Sequence, residues 1–134
     1  MIQAKELRIG NLINFHKIEN GIQSISKCSI IQIINTPEYY SYIPLTEDWL
    51  IKFGFEKFKF EVNEKPQRTS YILFSKEMSD KSWLTIANSE MPISFPMIKD
   101  EHQKSNYILR NISHVHELQN LYFVLTNKEL ITEP

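Results

Sequence analysis

The stretch PLTEDWLIKFGFEKFKFEV, residues 44–62, changes period half-way along, and that change decides the fold class. Its first half reads as a helix over 46–53. Thr46 suits the N-cap because its hydroxyl accepts from an orphan N–H of the first turn. Glu47 and Asp48 follow, where the positive end of the helix dipole favours carboxylates. Leu45 and Leu50 stand at the two positions of a hydrophobic staple. Gly54 suits the left-handed position that ends a helix, with Phe55 folding back on the last turn. Beyond it the side chains alternate: Phe58, Phe60 and Val62 on one side, Lys57, Lys59 and Glu61 on the other. That period of two predicts a half-buried strand over 55–62.

Working outward, residues 9–18 and 22–34 flank Asn20-Gly21, the preferred dipeptide of a type I′ turn, and predict a hairpin whose second strand is rich in β-branched residues. Gly10-Asn11 marks a bulge near its start, and Asn35-Thr36-Pro37 closes it, since proline cannot donate to a ladder. Residues 39–43 suit a short third strand. Downstream, 69–75, 82–87 and 105–110 read as further strands. Pro92 and Pro96 deny 88–105 a regular central strand, although Met91, Ile93, Phe95, Met97 and Ile98 are apolar. A second helix is expected over 113–126, with Val115, Leu118, Leu121, Tyr122 and Leu125 in one stripe. Ser113 or Asn111 would cap it, and Asn127 would supply its left-handed exit. With no repeat and no linker, the expectation is a single α+β domain over 1–134. Its antiparallel sheet would have about five to seven strands, with one short helix near 46–53 and one C-terminal helix near 113–126.

Composition narrows the function classes. Three glycines in 134 residues leave no Gly-rich phosphate loop. Fifteen basic against sixteen acidic side chains give no positive excess for a protein living on phosphate contacts. Cys28 is the only cysteine, so no intramolecular disulfide and no cysteine-based zinc site forms. No apolar run reaches the roughly 20 residues that span a bilayer. The N-terminus also lacks a signal-peptide core. A cytoplasmic protein without a membrane partner or a cofactor is expected.

Three blocks go further: 5–13 (KELRIGNLI), 43–55 (IPLTEDWLIKFGF) and 115–126 (VHELQNLYFVLT). Together and in this order they resemble a widespread family of small proteins encoded by phages and prophages, with a variable β-rich middle. That family has Gly where this chain has Asn127. The resemblance implies a mobile-element context. It implies no enzyme class, and residues 63–105 lie outside the match.

Candidate sites carry two readings each. Tyr39, Tyr40 and Tyr42 offer the large, low-entropy contact area typical of interface hot spots, or else pack inward. Met91, Ile93 and Phe95 form a partner-binding apolar loop, or else cover a sheet edge. Lys57, Lys59, Lys65 and Arg68, with Lys52 nearby, form the densest basic patch. It suits a nucleic-acid backbone or a solvated edge strand. His114 and His116 with Glu117 suggest a metal, but residues two apart do not share a helix face, so they read as ordinary helix N-terminal residues. His16 and His102 are isolated. Cys28, in the expected strand, reads as a buried structural thiol.

No catalytic, cofactor-binding or metal-ligating set emerges. The leading expectation is a non-catalytic accessory that binds a host protein or ribonucleoprotein, such as an inhibitor of a CRISPR effector. The alternative is a small nucleic-acid-binding module using the patch at 57–68. An enzyme of unrecognised type ranks last.

Overall fold

The computed structural model describes residues 1–16, 21–64, 67–79, 82–88, 94–100, 105–108 and 111–133, with backbone alone at 60–64, 67–71, 79, 88, 94–95, 100 and 105–108. The fold is α+β, with two antiparallel sheets and three α-helices among the described residues. No helix among them is long and apolar enough to cross a membrane. The chain divides into two compact units, Met1–Leu45 with His114–Glu129, and Thr46–Ser113 with Leu130–Pro134.

The first unit holds β1 (Leu12–Phe15), β2 (Ile22–Ser24) and β3 (Tyr40–Ser41) in the order β2-β1-β3. The hairpin forms, with Asn14 opposite Ile22; the turn expected at Asn20-Gly21 falls on residues 17–20, which lie outside the described residues. Gly21 is left-handed, at φ +60°. A correction concerns the second strand, which ends at Ser24 and gives way to the helix α1 (Lys27–Asn35). Its cause is a reciprocal capping box: the Ser26 hydroxyl accepts from the Ser29 N–H at 3.3 Å, and the Ser26 N–H donates to the Ser29 hydroxyl at 3.2 Å. Ile30 and Ile33 then turn to one side at helical spacing. Burial of that side outweighs the few tenths of a kcal/mol by which each isoleucine disfavours helix. Ile2, Ile13, Ile25, Ile33 and Tyr40 form the core of this unit.

The C-terminal helix α3 (Val115–Thr126) packs on β1. Its N-cap is His114 rather than Ser113 or Asn111, because the Val115 N–H is held by the Ile43 carbonyl at 2.9 Å and Pro44 bridges to His114. Asn127 takes the left-handed exit, at φ 57°.

The second unit opens with α2 (Glu47–Lys52), capped by Thr46 and ended by Gly54 at φ +86°, where the Phe55 N–H returns to the Leu50 carbonyl at 3.0 Å. A meander follows: β4 (Glu56–Glu64), β5 (Gln67–Ser79), β6 (Ser82–Asn88), β7 (Ser94–Asp100) and β8 (Ser105–Ile108), each paired with the next. Pro96 lies within β7, opposite Ile86, contrary to the expected break. The described pairing of β8 stops at Met97, so Pro96 sits past the stretch of β7 that is paired on both sides.

Register also corrects the reading of β4. Lys57 shares its row with Phe74 and Ile86, and Lys76 shares a row with Leu84 on the same face. Phe74, Ile86 and Leu84 are fully buried; on the opposite face Leu73 and Thr85 are buried too, while Phe58, beside Leu73, is 45 % exposed. Both faces are thus covered over β5 and β6, and at β4 Lys57 and Phe58 are both exposed. Here α2 and the turn after it lie over the lysine face: Lys57 bonds Glu47 at 2.6 Å, and Lys76 donates to the Phe53 carbonyl at 2.9 Å.

Candidate functional site

The block around Arg8 and its counterpart on α3 meet in the first unit. The Asn11 side chain is fully buried; its oxygen accepts from the Arg8 N–H at 2.6 Å and its amide donates to Asn120 at 2.9 Å. The Gln119 oxygen accepts from the Leu12 N–H at 2.9 Å, and the Asn120 amide donates to the Glu6 carbonyl at 3.2 Å. Arg8 pairs with Glu129 at 2.5 Å and lies 4.1 Å over the Phe123 ring. Three side-chain amides, those of Asn11, Gln119 and Asn120, thus bond the backbone between Glu6 and Leu12, with Gly10 at φ +97° inside it. This accounts for Arg8, Asn11, Gln119 and Asn120 as a clip joining two distant blocks.

Beside it lies a ring cluster. Tyr42 stacks on His116 with centroids 4.4 Å apart and lies 5.2 Å from His114. Its hydroxyl donates to Glu6 at 2.5 Å and accepts from the Gln3 N–H at 2.9 Å. His114 Nδ1 lies 3.0 Å from Glu117. His116 is 3 % exposed and its Nδ1 has no hydrogen-bond partner among the described residues. Burial pushes its imidazole below the ordinary histidine range, against a smaller upward pull from Glu117. Burial, helped by Glu6, pushes the Tyr42 phenol up. The two histidines come together on Tyr42 because His114 stands outside the helix as its cap, where the rule against neighbours two apart does not apply. Among the described residues, no group of three or more His, Cys, Asp or Glu side chains is placed to hold a metal.

The tyrosine cluster is inward-facing for the most part. Tyr40 is buried, stacked on Phe15 at 5.0 Å and bonded to Gln32, so it offers no contact surface. Tyr39 and Tyr42 are partly buried against the same core. Met91 and Ile93 lie outside the described residues, and Phe95 is placed on β7 opposite Ala87. In the basic patch, Lys57 and Lys59 are exposed on β4, with Lys57 engaged by Glu47. Arg68 faces Asn63 across the β4–β5 ladder, and Lys65 lies outside the described residues.

The surface that sequence reasoning missed is on α1. Ile31 and Ile34 are 61 % and 63 % exposed, one turn apart, with Cys28 exposed one turn before Ile31. The thiol expected inside a strand therefore lies on the outer side of a helix. The apolar run at 30–34 hid this face, because strand alternation cannot separate Ile33 from Ile31. The spacing Ser26-x-x-Ser29 was the available signal. Comparison with family models, curated proteins and solved structures finds no match for the chain.

Proposed function

We propose that the chain is a non-catalytic accessory of a phage or prophage that binds a host protein, most concretely an inhibitor of a defence system such as a CRISPR effector. The outward face of α1 carries the binding part of this reading. Two isoleucines at i and i+3, each more than half exposed, are the anchor pattern of a helix that lies in an apolar groove. Covering them would remove apolar surface from water at about 25 cal/mol per Å². The helix holds Lys27 and no acidic residue, which favours a groove with a carboxylate at its rim. The clip and the ring stack engage most of the chemistry-bearing side chains near α3, which supports the non-catalytic part, while His116 Nδ1 is left without a partner among the described residues. The phage context rests on the three-block resemblance alone. Such a protein acts by occupying a surface, and inhibition is stoichiometric.

The test is retrieval of the partner with tagged protein, with and without nuclease, followed by reconstitution from purified components. A one-to-one complex that survives nuclease and is lost in Ile34→Glu supports the reading. Retrieval of nucleic acid alone, lost on nuclease treatment and steeply weakened by salt, transfers the function to the basic patch. The engagement of Lys57 by Glu47 stands against that second outcome.

A further inference from the structure

Strand β4 is the longest strand edge among the described residues, with β5 on one side and no described strand on the other. Its register is unbroken from Glu56 opposite Ser75 to Glu64 opposite Gln67. Proteins blunt such an edge with a bulge, a proline, a short strand or charged side chains, lysine above all; β4 has no bulge and no proline, and of its two lysines Lys57 is engaged by Glu47. Its exposed Phe58 has Leu73 on the β5 side. Lys59 is exposed and makes no ion pair with a described residue.

We infer that β4 pairs antiparallel with β4 of a second copy of this chain, about a twofold axis at Phe60. A twofold normal to the sheet keeps each face on its own side, so residues of like parity meet. Centred at Phe60, the pairing sets Lys59 opposite Glu61 twice, Phe58 opposite Val62 twice, Lys57 opposite Asn63 twice, and Phe60 opposite itself. Both kinds of cross-strand pair, opposite charge and apolar, are favourable. Neighbouring registers fail on charge. Centring at Phe58 sets Lys57 against Lys59; centring at Lys59 or Glu61 sets that residue against its own copy. Centring at Val62 shortens the ladder. The like-charge pair in the chosen register, Glu56 opposite Glu64, also occurs twice, once at each end of the ladder, where water and salt screen it more than the central Lys59–Glu61 pairs. The second copy fits this edge because the strand is charge-complementary to itself in that register. The two sheets become one, and Phe58 gains a neighbour on its open side.

Charge swaps separate this dimer from any other. Sedimentation equilibrium over a concentration series is expected to show a wild-type monomer–dimer equilibrium. K59E alone and E61K alone each set like charges opposite one another twice and weaken dimerisation by roughly tenfold or more. Mixed together, K59E and E61K restore both ion pairs, and a heterodimer of wild-type affinity forms. I34E leaves the equilibrium unchanged. A wild-type chain that stays monomeric up to millimolar concentration overturns the inference. So do single variants that dimerise as tightly as wild type, or a mixture that stays monomeric. Restoration on mixing also shows that both variants are folded.

Discussion

A buried amide with two partners shows how single residues hold this fold. Asn11 is fully buried, and Asn120 both accepts from it and donates to the Glu6 carbonyl. Removing Asn120 leaves the Asn11 amide without its acceptor, and a stranded buried group costs about 1–3 kcal/mol. Asn120→Ala is therefore expected to lower the unfolding free energy measured in urea by that amount, while Asn120→Asp, which keeps an acceptor for Asn11, loses less. Neither the pair nor the stack of Tyr42 on His116 is legible in the sequence, because both link residues far apart in the chain. The local devices were legible: the Thr46 cap, the Gly54 exit and left-handed Asn127 each depend on a few neighbours. His116 also gives the molecule an acid-labile point. Its imidazole is held below the ordinary value chiefly by burial, with His114 lowering it and Glu117 and Glu6 raising it by smaller amounts. A group whose folded pKa lies below its unfolded value contributes stability above the unfolded value, near 6.5, that is lost as pH falls through the folded one. Urea midpoints measured from pH 7 downward are thus expected to fall more steeply for the wild type than for His116→Phe. Equal slopes would remove His116 as the cause.

Elements were legible where their ends were signalled and misread where only their middles were considered. The helix α2 carries cap, charge and stop signals in one short run, and it appears at Glu47–Lys52, as expected. The run of isoleucines in α1 carries strand propensity and hides a helix, because propensity is a weak term that a capping box and a buried face override. In β4 the alternation was read correctly as a strand, but Phe58, expected on its buried side, is 45 % exposed, because an edge strand has a neighbour on one side only. The stop after α2 gives the sharpest test at this scale. Gly54 sits at φ +86°, and a methyl group there would also meet the Glu133 carboxylate and Lys76 Nζ. The left-handed conformation alone costs a non-glycine residue roughly 1–2 kcal/mol. Gly54→Ala is expected to lose at least that in chemical denaturation. Gly54→Ala combined with Glu133→Ala would recover only the steric part, so a full recovery would show that the backbone conformation is not the constraint.

At the scale of the whole molecule, fold class follows from local periods and function does not, because the binding surface is whatever the fold leaves uncovered. The same residue type in α1 serves both ends. Ile33 is 1 % exposed within the core, whereas Ile34, its neighbour in sequence, is 63 % exposed. Composition and hydropathy treat the two alike; only the helical period separates them. This gives a paired prediction in which one substitution tests the fold and the other tests the function. Ile33→Ala removes buried methyl groups and leaves a cavity, so about 2–4 kcal/mol of stability should be lost, read as a lower urea midpoint with an unchanged slope. Ile34→Ala removes groups already in water, so stability should stay within about 0.5 kcal/mol of wild type. If the outer face of α1 holds the partner, the order reverses in binding. Ile34→Ala should then weaken the purified complex by 1 kcal/mol or more, about fivefold in Kd, the loss expected when an anchor is truncated. Under conditions where Ile33→Ala remains folded, its affinity should match wild type. An Ile34→Ala protein that keeps full affinity would move the partner site away from α1, whatever the partner proves to be.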